Sequence, residues 1–393
     1  MSKRPQNLSP DLQRLRDEGY EVAIRGSQVV LTSIPYVTSE KTVKLGALIT
    51  PFNGNTTAAA VPPLTHQAYF AGEAPCNSNG LRIEQIYHST EHKDYGNGLA
   101  SDHGFSAKVD GIFPDSYHTL FHTYLGHICP PATAIDPHAN PRTHRVKESY
   151  DDNDVFEYSD TNAARARIDG SSVHFHGQKV AIVGCGGTGS YLLDFISKTP
   201  VDEIHLFDFD VFQQHNAFRC PGAASKAIFG NAPGKVDYLR GVYSNMHKGI
   251  HAHRELVNES TVSQLDGMSF VFVAIDKPEC KGPIVAYLEG KGISFIDVGM
   301  GMEEYDGKIS GQLRSTLSAP ENRACFRERV SMAPDKDGIY NTNIQIAELN
   351  ALNAAMAVVK WKKVSGFYLD QRVEFNSVYS VSDQVLAKAP ANE

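Results

Sequence analysis

The six residues Gly184-Cys185-Gly186-Gly187-Thr188-Gly189 carry the strongest chemical signal in the sequence. They follow a short apolar run, Lys179–Val183 (KVAIV), and open a segment of helical spacing that reaches about Lys198. A glycine turn between strand and helix lets the backbone approach phosphate groups, and the helix N-terminus adds partial positive charge. Asp208 ends the next apolar run, Glu203–Asp208 (EIHLFD), at the spacing of a carboxylate that holds ribose hydroxyls. Turn and acid together imply a nucleotide site. The competing reading of the turn is tight packing alone.

Further polar residues follow in order. Asp208 begins DFDVFQQHNAFRC, which holds Asp210, Asn216 and Arg219; Lys235 lies in NAPGKVDYL, and Asp276 closes FVAID. Asn, Arg and Lys converging on a polyphosphate, with an Asp placed for a metal, suit phosphate chemistry. An NAD-dependent oxidoreductase needs only the turn and the acid, and would leave these residues without a task.

The elements that must position these groups alternate strand with helix: Lys179–Val183, Glu203–Asp208, Met268–Ile275 and Ile293–Val298 as strands, with a helical run around Pro283–Glu289. Such alternation predicts a doubly wound, mostly parallel sheet, whose ligands sit at the carboxyl ends of its strands. An Ala-rich helix over 343–361 and a strand over 372–376 close the chain. Upstream, Ser9-Pro10-Asp11 starts a short helix, and 21–24, 28–32 and 45–50 read as strands. Residues 115–128 read as a helix ended by Cys129-Pro130-Pro131. The stretch 136–161 has linker composition. The expected partition is a smaller α+β domain over 1–150, a linker over 151–165 and a nucleotide domain over 166–393.

The 393 residues suit two or three domains at about 150 residues each. With 41% hydrophobic and 21% charged residues the chain can bury a core, and at net charge −8 it lacks the basic surface of a general nucleic-acid binder. No apolar run is long enough to span a membrane, and the N-terminus has no apolar signal segment. The six cysteines form no CxxC pair, which argues against a disulfide scaffold and a four-cysteine zinc site. A cytoplasmic protein is expected.

Taken in order, GCGGTGS, LFDFDVFQQHNAFR, GKVDYL and VAIDKPE resemble the adenylating domain of the ThiF/MoeB and ubiquitin-activating enzyme superfamily, over roughly residues 160–380. The resemblance implies a Rossmann-like fold. It also implies ATP- and Mg2+-dependent adenylation of the C-terminal glycine carboxylate of a ubiquitin-like protein, with release of pyrophosphate. It assigns Gly184, Gly186, Gly187 and Gly189 to the phosphates and Asp208 to the ribose, with Asp210 beside it. Asn216, Arg219 and Lys235 fall to the phosphates, and Asp276 to magnesium. An arginine upstream of the first strand, Arg165 or Arg167, would reach into a partner subunit's site, so a homodimer is expected. The attacking carboxylate is already ionised at neutral pH and needs no general base. The alternative within the superfamily is activation of a sulfur-carrier protein.

The chain departs from that pattern in two ways. Many relatives hold a structural zinc with two CxxC pairs, whereas here only Cys325 remains, so no structural zinc is expected in this domain. The loop RVSMAPDKDGIYNTN, where a transfer cysteine would lie, offers Ser331, Tyr340 and Thr342 instead. Transfer would therefore use Cys325 or a hydroxyl such as Ser331, which needs activation; otherwise the adenylate is released.

The first 150 residues resemble the uncharacterised domains that precede ThiF-type domains in bacterial ubiquitin-like conjugation operons. That implies docking of the modifier or of a conjugating enzyme. His118 and His122 share one helical face, as metal ligands can. No HExxH accompanies them, and Tyr117, Leu120, Phe121 and Leu125 share the helix, so the expectation is an aromatic helix packed on a sheet.

Overall fold

The apolar runs of the first half pair into one antiparallel sheet. In the computed structural model these strands are β1 (Glu21–Arg25), β2 (Gln28–Val37), β3 (Val43–Pro51), β4 (Gln67–Ala71), β5 (Tyr87–Gly96) and β6 (Leu99–Ser106), in the order β1-β2-β3-β4-β6-β5. The structure describes residues 9–53, 62–96, 98–108, 111–145, 155–158, 160–166, 168–275, 278–332, 344–371 and 373–390. The chain divides into two units. The first runs to Val173 apart from Val155–Glu157, and the second comprises Val155–Glu157 and the chain from His174 onward.

In the first unit, helices α1 (Pro10–Asp17) and α2 (Tyr117–Ile135) accompany the sheet. Leu12, Leu15, Leu31, Phe70, Phe105 and Phe121 belong to its shared core. The start of α2 is doubly capped. Ser116 Oγ accepts the Thr119 N–H, and the buried Asp11 carboxylate of α1 accepts the Tyr117 N–H at 2.8 Å. β4 and β5 fall in the stretch between residues 50 and 115, to which the sequence reading assigns no element. β5, an edge strand with the sequence YHSTEHKDYG, has no buried residue, so it lacks the apolar alternation that marks a half-buried strand.

Helix α2 does not stop at Cys129 as the two prolines suggested; it continues through Pro130 and Pro131 to Ile135. Proline removes the N–H donors that would bond to residues 126 and 127. Gly126 and His127 are exposed, so water can satisfy their carbonyls, while Thr133 Oγ1 donates to Cys129 O at 3.2 Å.

Among the described residues the second unit holds eight strands: β7 (Lys179–Val183), β8 (Glu203–Phe207), β9 (Ile250–His253), β10 (Phe270–Val273), β11 (Ser294–Tyr305), β12 (Lys308–Ser318), β13 (Glu374–Ser380) and β14 (Val385–Pro390). Their order is β14-β13-β12-β11-β10-β7-β8-β9. From β11 to β9 every pairing is parallel, and from β11 to β14 every pairing is antiparallel. The doubly wound, mostly parallel sheet is therefore present, with an antiparallel extension. That extension begins with a two-residue turn at Asp306-Gly307, both at positive φ, as tight hairpins require.

Helices α3 (Gly187–Ile196), α4 (Lys235–Tyr243), α5 (Pro278–Gly290), α6 (Ala324–Arg329) and α7 (Ala347–Val364) belong to the same unit. β10 shows how both faces are filled: Phe270 and Phe272 join one core with Leu192 and Trp361, while Val271 and Val273 join another with Leu288 and Phe295. Strand order reverses between β7 and β10, which makes their carboxyl ends the switch point where ligands bind in such sheets. Among the described residues no helix is long and apolar enough to cross a membrane.

Candidate functional site

The glycine turn sits at that switch point. Gly184 leaves β7 with φ +92° and donates its N–H to Phe207 O of β8 at 2.8 Å. A Cβ there would lie 2.5 Å from Ala274 O, just past β10. A Cβ on Gly189 would overlap Gly184 O, and one on Gly187 would overlap the Asn350 side-chain amide. Gly186, the N-cap of α3, faces open space. Packing within the chain thus explains Gly184, Gly187 and Gly189, whereas Gly186 borders the volume open to a ligand. Cys185, inside the turn, is buried, and burial together with the Asp208 charge raises its thiol well above the usual range.

Asp208 follows β8 and braces the turn. Its Oδ2 accepts the Cys185 N–H at 2.8 Å and its Oδ1 accepts the Asp210 N–H at 2.9 Å. Lys235, the first residue of α4, places its buried Nζ 2.5 Å from Asp210 Oδ2 and 3.5 Å from Asp208 Oδ2. Both carboxylates therefore share one ammonium.

Asn216 and Arg219 lie in and after a single helical turn, Gln214–Ala217. Asn216 Oδ1 accepts the Gln213 N–H at 2.8 Å, which fixes the side chain and leaves Nδ2 buried with no hydrogen-bond partner among the described residues. Arg219 Nε is in the same state. Buried orphan donors are rare, because leaving one unpaired costs about 1–3 kcal/mol. Desolvation, then the charges of Arg219 and Lys235, hold His215 below the usual histidine range.

Sequence reasoning missed Asn350. This fully buried residue of α7 accepts the Thr188 hydroxyl at 2.9 Å and donates to Arg219 O at 3.4 Å, tying the glycine turn to the Arg219 segment. The signal was present only as a polar residue in an Ala-rich helix, with nothing local to mark it as buried.

The structure thus brings together Gly184–Gly189, Asp208, Asp210 and Lys235, with Arg219 joined to the turn through Asn350 and Asn216 O accepting the Arg219 N–H at 3.1 Å. Asp276 and Arg167 lie outside the described residues, as do Tyr340 and Thr342. Arg165 falls in a helical segment, Thr161–Ala166. Cys325 is buried in the core on α6, its Sγ 3.6 Å from Arg329 Nη1, whereas Ser331 is exposed.

The ThiF family matches residues 162–384, and a domain of unknown function, DUF6791, matches residues 10–161. A crystal structure of PaaA is 17% identical with a TM-score of 0.47, covering 60% of this chain and 75% of PaaA. One of E. coli MccB with ATP is 14% identical with a TM-score of 0.46, covering 59% of this chain and 69% of MccB. One of E. coli MccB with MccA is 14% identical with a TM-score of 0.49, covering 60% and 72%. None of the curated proteins compared with the chain matches it.

Proposed function

The chain belongs to the ThiF family, with its adenylyltransferase-like fold, and from that premise we propose that it uses ATP to adenylate the C-terminal glycine carboxylate of a ubiquitin-like protein. The observation that carries the reading is the pair of buried, unpartnered donors, Arg219 Nε and Asn216 Nδ2, beside a glycine turn. They fit an anionic polyphosphate, which would supply their missing acceptors.

The substrate carboxylate attacks the α-phosphorus, a new P–O bond forms, the bond to the departing pyrophosphate breaks, and an acyl-adenylate remains. Asp208 keeps lone pairs for the ribose hydroxyls while still bracing the turn. Gly186 leaves room for the phosphates against the α3 N-terminus. Arg219 and Lys235 offset the repulsion between two anions and align them. Lys235 is drawn toward phosphate, and the exposed Asp210 carboxylate returns to water. Among the described residues the nearby oxygen donors, Asp208 and Asp210, both face Lys235; Asp276 is the residue read as holding Mg2+, which when bound neutralises phosphate charge.

The same reading gives residues 1–150 the docking of the modifier or a conjugating enzyme, makes 151–165 a linker, and pairs two chains so that Arg165 or Arg167 serves the partner's site. Any acyl intermediate on the enzyme would use the exposed Ser331 rather than the buried Cys325. Stability of the trapped conjugate to hydroxylamine and mild base distinguishes oxyester from thioester.

ATP–pyrophosphate exchange tests the central claim. Exchange should appear only with a ubiquitin-like protein ending in glycine, and should vanish when that glycine is deleted. Exchange with a sulfur-carrier protein alone would move the function to cofactor biosynthesis, and nicotinamide reduction without exchange would sink the reading.

A further inference from the structure

We propose that Glu18, His118 and His122 of the first unit form a binding site for a zinc-class divalent cation. The helical face that carries the two histidines receives a third donor that their spacing could not reveal. Glu18, the residue that ends α1, places Oε1 2.8 Å from His118 Nε2 and Oε2 3.0 Å from His122 Nε2. One ligand atom from each of the three residues lies within 4.8 Å of the others. Zinc bonds of about 2.0–2.1 Å in tetrahedral geometry put donors roughly 3.3 Å apart. An outward shift of about half an ångström therefore converts the hydrogen-bonded cluster into a chelate.

The donors stand on rigid supports. Asp11, at the other end of α1, accepts the Tyr117 N–H that opens α2, so the two helices are joined before Glu18 meets the histidines. The Glu18 N–H bonds back to Arg14 O, and the Tyr20 ring stands edge-on to His122 at 5.6 Å. The two imidazoles lie 4.3 Å apart, one helical turn along the same face. Each now donates an Nε2–H to the carboxylate. On binding, each offers the Nε2 lone pair to the ion and carries a proton on Nδ1.

Two histidines and one carboxylate are a ligand set that zinc accepts with water in the fourth position. His122 also lines a groove of about 550 Å³ with Tyr20 and Arg142, which gives the ion a route in. Arg14 Nε lies 3.2 Å from Glu18 Oε1, but its side chain is 66% exposed. A surface pair of that kind contributes little, and Arg14 can turn into solvent. A second cluster, Glu203, His205 and His251 in the other unit, is less prepared. His205 already spends one ring nitrogen on Glu203 and the other on His253, and His251 is exposed.

The test uses the full chain, stripped with a chelator and then titrated with Zn2+ against a chromophoric competitor, and separately with Co2+. One zinc per chain and a four-coordinate cobalt spectrum are expected. The double variant His118→Asn/His122→Asn should lose both, and melting in chelator reports whether it folds. Glu18→Gln keeps a hydrogen-bond acceptor of the same size, so it carries the test if the double variant does not fold. It should weaken zinc binding by more than roughly 100-fold, beyond what loss of an outer-shell partner costs. His205→Gln/His251→Gln should bind as the parent does. Failure of the folded parent to take up zinc, parent-like uptake in Glu18→Gln, or uptake lost in the folded His205/His251 variant would overturn the assignment.

Discussion

In the segment that follows β8, Arg219 Nε and Asn216 Nδ2 are buried and unpaired among the described residues, while in the first unit His118 and His122 both bond to Glu18. Both arrangements are built from groups that bind ligands, but they store that capacity differently. The first keeps donors waiting at a desolvation penalty that only an outside acceptor removes. The second satisfies its donors internally, so an ion must displace hydrogen bonds that already exist. An anion is thus expected to stabilise the second unit strongly, whereas a cation reorganises the first at smaller net gain.

The largest expected effect would break or confirm this contrast directly. Arg219→Ala removes the orphan donor and a positive charge together, and ATP–pyrophosphate exchange should fall by roughly 100- to 1,000-fold, the range for loss of one preorganised donor. Because Nε gains nothing from the folded chain alone, the melting temperature without ATP should hold or rise. A large loss of stability in the absence of nucleotide would mean that Arg219 has a structural partner. Asp276→Ala should likewise abolish exchange without unfolding the chain.

The contrast also explains what could be read from the sequence. The glycine turn, Asp208 and the main parallel strands announce themselves because each depends on neighbours within a few residues: a short apolar run, a glycine, an acid at a strand end. Glu18 joins His118 from 100 residues away, and Asn350 reaches Thr188 from 162 away, so no local pattern encodes either contact. β5 and β14 escaped notice as edge strands, which lack the strong apolar alternation of central ones. Pro130-Pro131 misled because proline reports a lost donor, not whether solvent can satisfy the freed carbonyls.

A third histidine sharpens the distinction between groups poised for a ligand and groups already satisfied. His247 is fully buried. Its Nε2–H donates to Val201 O at 3.0 Å and its Nδ1 accepts the Gly249 N–H at 3.1 Å. A proton on Nδ1 would oppose that N–H. Burial dominates and lowers its pKa from 6.5 to about 4, outweighing the Val201 carbonyl and Asp202, which favour the charged form; His251 and Lys248 add to the lowering. The unfolded chain therefore binds a proton that the folded chain refuses, so the contribution is complete above pH 6.5 and is lost as pH falls toward 4. The second unit should lose on the order of 3 kcal/mol across that window. Denaturant titrations of the parent and of His247→Gln check this, and an equal slope in both would remove His247 as the cause.

Smaller effects separate packing from binding inside the glycine turn. Gly189→Ala drives a methyl into Gly184 O and should destabilise the second unit by about 1–3 kcal/mol. Gly186→Ala meets open space, so it should leave the melting temperature near the parent's while weakening nucleotide binding. Equal destabilisation by both would show that the whole turn is a packing device and that the volume beside Gly186 is not a phosphate site.

The finest probe is the contact that sequence reasoning missed. Gly187→Ala collides with the side-chain amide of Asn350, and Asn350→Ala removes the acceptor of the Thr188 hydroxyl, so each change alone should destabilise by about 1 kcal/mol or more. Made together they should not add, because truncating Asn350 vacates the space that the new methyl needs. A double-mutant cycle on unfolding free energy should therefore give a coupling of about 0.5–3 kcal/mol in favour of the double variant. Additive losses would place the strain of Gly187→Ala in the backbone rather than against Asn350. The link from α7 to the turn would then rest on the Thr188 hydrogen bond alone.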